Sequence, residues 1–397
     1  MRSARAAARA LLPAALLISG AGIAGCSAGP AASSNNVKGG ALTIYATAPA
    51  DVSDPQGQQD VLNAEQLAFD QGRGSVSAFK LRLVRVSKPK TSDDARSAIQ
   101  DTSAIAYLGE LDPGAGADSI GITNALDVLQ VTPTDTAAAL TRATAAVPGS
   151  PGRYYESLSA NGRTFARVVG TTDAEAEGLV MAMSGMGVHS LYIADDATDY
   201  GRALAAAVRS AAAAAHLTVR TGAATAAGFS GSGADALLLA ARSNSLARSV
   251  LPQIAAASPS AKLFAPSALF SQTLAASLGA QVRNLFVSVP GIQPASLSPA
   301  ARQFVGSFTS RFGHTPDPRA IFGYEAMSAV LATLGKAGAA ANNRSTVVHD
   351  FLAIKNRSSV LGTYSIDSGG DTSLSRFLLS RLRNGKLAPF QALGSGG

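Results

Sequence analysis

The sequence is poor in the residues that make covalent cross-links and metal sites. Its 397 residues include one cysteine, no tryptophan and only four histidines. A single cysteine, Cys26, forms no internal disulfide and supplies too few ligands for a structural zinc site. The histidines are far apart in the chain, at His189, His216, His314 and His349, without a second ligand at helical spacing. We therefore expect no metal site and no cofactor.

Familiar catalytic motifs are also missing. The chain has no HExxH, GxxxxGK[ST] or GxSxG sequence, which are typical of metalloproteases, phosphate-binding loops and α/β-hydrolases. The formal net charge is +7, but three of the positive charges lie in the first 25 residues. No cluster of Lys and Arg is interleaved with aromatic residues, which argues against a nucleic-acid surface. We therefore expect neither an enzyme nor a nucleic-acid-binding protein.

The first 25 residues have the layout of a secretory signal peptide. Arg2, Arg5 and Arg9 form a basic start, and an apolar run follows over residues 11–24. This run is shorter than the roughly 20 apolar residues that a membrane-spanning helix needs. Small residues then lead up to Cys26, as they do before a cleavage site. The pattern predicts that residues 1–25 are removed after export.

The sequence IAGC at residues 23–26 resembles the lipobox of bacterial lipoproteins. That resemblance implies that Cys26 is acylated and holds the mature chain at the outer face of the cell membrane. Residues 26–40 would then be the anchor and a flexible tether, because they are small, polar and without apolar periodicity. An ordinary signal peptide with an incidental cysteine is the alternative. No second apolar run reaches 18 residues, so we expect contact with the membrane through the lipid only.

Downstream, apolar strand segments alternate with helical segments. Strands are predicted at ALTIYATA (41–48), AIAYLG (104–109) and SLYIAD (190–195), and helices at 58–72 and 201–215. Repeated strand–helix–strand units form parallel sheets covered by helices. The predicted fold class is therefore α/β, with two Rossmann-like lobes.

The pattern also gives two local predictions. The helix after residue 90 is expected to take Thr91 or Ser92 as its N-cap. The linker 225–236 leaves little room for a helix before the next strand.

Three predicted strands end in polar segments. These are GELDPGAG (109–116), VTPTDTA (131–137) and ADDATDYG (194–201). Ligands of open parallel sheets bind beyond the carboxyl ends of the strands, where loops and helix N-termini present N–H groups. Glycine, proline, threonine and aspartate are equally common in plain turns and caps. The composition alone leaves both interpretations open.

The order of the motifs resembles the type 1 solute-binding proteins of ABC importers, in the branch of the Leu/Ile/Val-binding proteins. The matching segments run in the family's order over nearly the whole mature chain: NAEQLAFDQ (63–71), AIAYLG (104–109), VTPTDTAAAL (131–140), SLYIADDATDYGRALAAAV (190–208), FTSRFGHTPDPRAIFGYEAMSAVLATL (308–334) and VLGTYSIDSGGD (360–371). The resemblance implies two lobes joined by three crossings, near 168–171, 288–291 and 361–364. One lobe would hold residues 41–169 plus 291–361, and the other residues 170–289 plus 362–394.

The resemblance also implies a ligand site between the lobes. Its residues by position would be Gln56, Pro113, Gly114, Thr134, Thr136, Tyr200, Arg242 and Ser267. Gln56 and Arg242 occupy positions where the family has aromatic residues. Pro113 and Gly114 occupy the place of a serine-bearing loop. Ser267 occupies the position of the acid that pairs with the ligand's ammonium group. Asp112 and Asp135 lie on the same loops and would restore a negative charge. An inward-facing Arg242 would instead favour an anion.

These features predict a monomeric, lipid-anchored binding protein. It would capture a small polar solute, either an amino acid or another carboxylate-bearing compound, and deliver it to the permease and ATPase subunits of an ABC importer. A ligand sensor or surface interaction protein on the same fold is the alternative.

Overall fold

Apolar strand segments form two separate sheets, and most neighbouring strands in each sheet run parallel. The computed structural model describes residues 35–47 and 54–393. Cys26 and the predicted signal peptide lie outside these residues. The described residues belong to one compact unit.

The six strands of the first sheet are arranged in the order β2-β3-β1-β4-β5-β6, and the seven of the second in the order β15-β14-β11-β10-β9-β7-β8. The strands are β1 (Ala41–Thr47), β2 (Ser75–Val76), β3 (Phe79–Val86), β4 (Ala104–Leu108), β5 (Leu129–Thr132), β6 (Phe165–Arg167), β7 (Ser190–Asp195), β8 (Thr218–Thr221), β9 (Ala236–Ala240), β10 (Lys262–Ala265), β11 (Leu285–Pro290), β12 (Arg357–Ser359), β13 (Gly362–Tyr364), β14 (Phe377–Arg383) and β15 (Lys386–Leu393). Strands β12 and β13 form a separate antiparallel hairpin. Within the two sheets, only β2, β14 and β15 pair antiparallel to their neighbours.

Helices connect the parallel strands and cover the sheets. They are α1 (Pro55–Gln71), α2 (Thr91–Gln100), α3 (Ile120–Asn124), α4 (Leu158–Asn161), α5 (Thr172–Gly185), α6 (Asp199–Ala214), α7 (Ala226–Ser232), α8 (Asn244–Ala257), α9 (Gln272–Ser277), α10 (Pro299–Phe312), α11 (Ala320–Ala337) and α12 (Arg344–Leu352). The predicted α/β class and the two parallel-strand lobes are confirmed. In the described ranges, no helix combines the length and the hydropathy that crossing a membrane requires.

The first lobe consists of the first sheet with α1–α4, α10–α12 and the β12–β13 hairpin, and the second lobe of the second sheet with α5–α9. The chain leaves the first sheet after Arg167 and leaves the second after Pro290. It does not return at the predicted third crossing, because Leu361, Tyr364 and Leu374 are buried in the core of the first lobe. It reaches the second sheet again only with β14. The crossing predicted at 361–364, and the boundary between residues 361 and 362, therefore lie too early in the chain.

Two local predictions also differ from the structure. Helix α2 begins at Thr91, and the capping position is Lys90, which makes no side-chain capping bond. The linker 225–236 does hold a helix, the seven-residue α7. Thr225 starts it by accepting a hydrogen bond from the N–H of Gly228, and Gly233 ends it in a left-handed conformation with φ of 66°. Two strong capping signals allow a helix in a linker of this length.

Candidate functional site

The carboxyl ends of the parallel strands bring four loops together between the lobes. The loops at 109–114 and 133–137 follow β4 and β5, and the loops at 196–198 and 241–243 follow β7 and β9. In each lobe the connections diverge from one central strand, since β1 lies between β3 and β4, and β7 lies between β8 and β9. Such switch points are where open α/β sheets bind ligands.

A cleft of about 560 Å³ lies at this junction. The first lobe contributes Asp112 and Pro113, and the second contributes residues 242–245 at the start of α8. Two smaller cavities, of about 200 and 130 Å³, also have Arg242 in their walls. Arg242 is therefore the side chain that all three spaces share.

Arg242 is held at the mouth of the second lobe and points towards the first. Its backbone N–H donates to Asp196 Oδ2 at 2.9 Å. A Cβ atom on Gly114 would lie 3.3 Å from Arg242 Nη1 and 3.4 Å from the Cβ of Tyr200. The side chains of the second lobe thus approach the 113–114 loop closely, and the left-handed φ of 84° at Gly114 suits glycine there.

Asp112 provides the opposite charge in the cleft. Gln58 Nε2 donates to Asp112 Oδ1 at 2.6 Å, which fixes the carboxylate at the end of its loop. Burial raises the pKa of Asp112, and the positive charges of Arg242 and Arg319 act in the other direction. The cleft therefore presents a cation on one wall and a carboxyl group on the other.

The start of α8 adds positive potential to the second-lobe wall. Ser243 Oγ caps the helix by accepting from the N–H of Leu246 at 3.2 Å. The N-terminus of a helix attracts anions through its N–H groups and its dipole. Arg248, one turn further on, also lines the cleft. This wall suits a negatively charged group.

The backbone N–H groups of Gly114 and Gly116 are not available to a solute, because Asp135 accepts both. Its carboxylate takes the N–H of Gly114 at 2.7 Å, of Gly116 at 2.9 Å and of Ala137 at 3.0 Å. Asp135 is fully buried. Burial raises its pKa, while Arg167 and these N–H donors lower it. Asp135 thus joins two cleft loops from inside the first lobe.

A second buried carboxyl group, Glu175 at the start of α5, holds the loop that contains Ser267. Glu175 accepts from the Ser267 N–H at 2.6 Å and from Ser267 Oγ at 3.0 Å, and Ser288 Oγ also donates to it. Burial raises the pKa of Glu175, and these donors lower it. The side chain of Ser267 is therefore engaged within the second lobe.

Thr136 and Tyr200 meet beside this group. Their hydroxyl oxygens are buried and form no hydrogen bond of ordinary geometry with any described residue. Burial raises the pKa of the Tyr200 phenol, against the smaller opposing effect of the Ser267 and Thr136 hydroxyls next to it. Tyr200 also lines the 200 Å³ cavity.

Glu110 lies in the wall of the 130 Å³ cavity and is almost fully buried. Burial raises its pKa to about 8, although the Tyr107 hydroxyl donates to its Oε1 at 2.7 Å. A carboxyl group with this pKa is mostly protonated at neutral pH. Glu110 therefore adds little negative charge to the cleft.

Comparison with known families matches residues 95–375 to the periplasmic binding protein family. The match extends over more than half of the chain. This chain belongs to the periplasmic binding protein family. Comparison with curated proteins gives no significant match.

Several solved structures share the fold of this binding protein. The leucine-binding protein LivK of Thermotoga maritima is 17% identical, with a TM-score of 0.75 over 89% of this chain and 98% of that one. LivJ of Streptococcus pneumoniae, in complex with isoleucine, is 15% identical, with a TM-score of 0.70 over 89% and 99%. A solute-binding protein of R. palustris, in complex with benzoate, is 16% identical, with a TM-score of 0.68 over 89% and 96%. At identities this low, the similarity to these structures shows the fold alone.

The residues predicted from sequence fall into two groups in the structure. Pro113, Gly114, Tyr200 and Arg242 line the cleft or its side cavities, with Arg242 common to all. The other predicted residues are held by internal contacts: Thr136 beside Tyr200, Ser267 on Glu175, Thr134 through its hydroxyl on the Leu111 carbonyl at 2.6 Å, and Gln56 through its amide on Asp60 at 3.0 Å.

Sequence reasoning missed several polar groups of the site. Gln58 faces Asp112, while its neighbour Gln56 is exposed on α1. The segment SNS at 243–245 lines the cleft, and its serine–asparagine content between a strand and a helix is a recognisable N-cap signal. In the described ranges, no three His, Cys, Asp or Glu side chains are placed to hold a metal ion.

Proposed function

We propose that this periplasmic binding protein captures a small carboxylate-bearing solute between its lobes and delivers it to an ABC importer. The observation that carries the proposal is the position of Arg242, whose side chain borders the cleft and both side cavities. A guanidinium group binds a carboxylate with two parallel hydrogen bonds. The capped start of α8 supports the same charge preference.

The internal contacts of the site favour a solute that need not carry an α-amino group. The N–H groups of Gly114 and Gly116, in the loop where the family has its serine, are bound to Asp135. Ser267, at the position of the family's ammonium-binding acid, is bound to Glu175. An ammonium group buried without a counter-charge would cost several kcal/mol. Among the described residues that line the main cleft, Asp112 has the one carboxyl group, so an amine or hydroxyl of the solute would bind there.

The size of the cleft is consistent with a metabolite of modest size. Small-molecule sites in proteins typically have volumes of about 300–1,000 Å³, and the main cleft of about 560 Å³ falls within that range. We propose that residues 41–169 with 291–374 move as one lobe, and residues 170–290 with 375–393 as the other. Closure of the two lobes would then hide the solute from water.

We also propose that Cys26 anchors the protein at the outer face of the cell membrane. A diacylated cysteine inserts two acyl chains, which hold firmly where a single chain holds only marginally. Residues 26–40 would let the folded part reach the permease as a monomer. The binding protein would contact the permease, and the permease would connect it to the ATPase subunit.

Calorimetry with an Arg242→Ala variant tests the proposed ligand class. A thermal-shift screen of carboxylates and amino acids first identifies a ligand, since a ligand at 100 times its Kd adds about 2.7 kcal/mol of stability. Arg242→Ala should then weaken binding roughly 10- to 100-fold, because a hydrogen bond to a charged group is worth about 1.5–3 kcal/mol. Arg209→Ala, at an exposed position on α6 in the same lobe, is the matched control and should bind like wild type. Unchanged affinity in Arg242→Ala would remove the proposed role of this residue.

Fractionation of cells that express Cys26→Ser tests the anchor. The variant lacks the sulfur that would be acylated, so it should leave the membrane fraction or keep its signal peptide. Wild-type protein, followed with the same antibody, should remain in the membrane fraction. A Cys26→Ser protein that is processed and retained like wild type would rule out lipid anchoring through this residue.

A further inference from the structure

A separate cavity of about 330 Å³ lies between the lobes and shares no lining residue with the cleft or its side cavities. The segment 268–273 separates the two regions. Ala268 and Thr273 line the cleft, whereas Phe270 and Gln272 line the separate cavity. We call this space the rear cavity.

Both lobes supply apolar side chains to the rear cavity. The first lobe contributes Phe304 and Val305 of α10 and Ile321 of α11, and the second contributes Leu378 of β14 and Leu387 of β15. Phe304 is almost fully buried, but Val305 is only half-buried beside it. These side chains thus form apolar walls, as in most small-molecule pockets.

The polar side chains that bound the rear cavity are mostly engaged with protein groups. Gln272 exchanges two hydrogen bonds of 3.0 Å with the backbone of Leu387. The carboxylate of Asp317 accepts from Arg319 Nε at 2.8 Å. The charge of Asp317 is therefore balanced, and no cation from a ligand is needed there.

Ser380 differs from Gln272 and Asp317. Its side chain is 1% exposed and lines the rear cavity, and Ser380 Oγ has no hydrogen-bond partner among the described residues. A buried hydroxyl without a partner is unfavourable, and a bound molecule with one polar group would satisfy it.

We propose that the rear cavity binds an uncharged, largely apolar small molecule with one hydroxyl group, such as an aromatic alcohol or phenol. Its volume of about 330 Å³ lies at the lower end of the range for small-molecule sites. The rings would contact Phe304, Ile321 and Leu378, and rotation of the Ser380 side chain would let its Oγ bond to the hydroxyl. This site shares no lining residue with the solute site at Arg242.

Titration with 1-naphthol, followed by its fluorescence and by calorimetry, tests the proposal. We expect saturable binding of one molecule per chain. Ser380→Ala should weaken 1-naphthol binding roughly 3- to 10-fold, because a neutral hydrogen bond is lost. Naphthalene, which lacks the hydroxyl, should bind wild type and Ser380→Ala equally. Equal binding of 1-naphthol to both proteins would overturn the role of Ser380, and binding that does not saturate would overturn the site.

A filled-cavity variant locates the bound probe. Val305→Trp places an indole in the rear cavity and should abolish 1-naphthol binding. Val219→Trp, on the edge strand β8 and away from the cavity, should bind like wild type if it retains the wild-type circular dichroism spectrum. If Val305→Trp does not fold, Val305→Phe, a smaller filling change, should still weaken binding. Arg242→Ala should leave it unchanged. Retained binding in the filled variant, or lost binding in Arg242→Ala, would contradict the proposal.

Discussion

Arg167 is a fully buried cation whose partners belong to separate segments of the chain. Its Nη1 donates to the Asp135 carbonyl at 2.8 Å, and its Nη2 to the Ala137 carbonyl at 2.9 Å. Arg167 Nε lies 3.0 Å from Asp371 Oδ1. One residue thus joins the end of β6, a cleft loop and the segment that leads to β14. The position of the 135–137 loop therefore depends on a charge pair outside the cleft.

The substitution Asp371→Asn should destabilise the protein strongly. It removes the paired carboxylate of Arg167, whose side chain has no access to solvent, and it also removes one partner of the half-exposed Arg142. Breaking a buried ion pair by removing one partner typically costs about 3–5 kcal/mol. Urea unfolding measures the loss in the free energy of unfolding.

Asp173→Asn is the matched control for this experiment. Asp173 also pairs with an arginine, Arg142, at 3.7 Å, but both side chains are about half exposed. Exposed pairs contribute about 0–1 kcal/mol. If Asp371→Asn and Asp173→Asn lower the free energy of unfolding equally, the buried Arg167–Asp371 pair stabilises the protein no more than an exposed pair.

Among the helices, α1 and α11 approach each other closely at one glycine. A Cβ atom on Gly323 would lie 2.5 Å from the Val61 carbonyl oxygen. Helix α11 also carries Gly335, where a Cβ atom would have nothing within 4 Å. Close packing against α1 therefore requires glycine at position 323, whereas nothing around position 335 excludes a side chain.

Alanine substitutions at these glycines should have opposite effects. Gly323→Ala pushes two packed helices apart, and overpacking of this kind costs about 1–3 kcal/mol. Gly335→Ala meets no obstacle and should stabilise the protein by about 0.4–1 kcal/mol, because alanine loses less backbone entropy in a helix. Thermal and urea unfolding of both variants measure the two changes. A stabilised Gly323→Ala variant would contradict the close packing of α1 and α11.

In the molecule as a whole, the two lobes contact each other across the solute site. One apolar core cluster contains Leu140 and Phe165 of the first lobe together with Leu204 of the second. The hydroxyl of Tyr154 in the first lobe donates to Asp199 Oδ2 in the second at 3.2 Å. The structure therefore has the lobes close together, with Arg242 between them.

Small-angle scattering should detect closure of the lobes on the solute. The free protein should have a larger radius of gyration than the complex, because hinge bending brings the lobes together around the ligand. Arg242→Ala at the same ligand concentration is the control and should keep the larger value. Identical scattering of free and saturated wild-type protein would contradict the closure mechanism.

Much of the fold could be predicted from the sequence because its elements carry local signals. Strands such as β4 and β9 are short apolar runs bounded by polar residues, and their buried positions follow from that pattern. The third crossing could not be predicted in this way. The hairpin β12–β13 has no local feature that assigns it to one lobe, and the Tyr364 hydroxyl bond to Glu325 at 2.8 Å forms only when α11 is in place.

The candidate site could likewise be predicted only in part from the sequence. The polar strand ends and the place of Arg242 after β9 follow from the sequence, because parallel strands bring their carboxyl ends to one edge. The tertiary structure alone decides which polar groups remain available to a solute. Asp135 and Glu175 lie far in sequence from some of the donors that they bind, so their contacts with Gly114 and Ser267 form only on folding. These long-range hydrogen bonds leave Arg242 and Asp112 as the opposed charges of the main cleft.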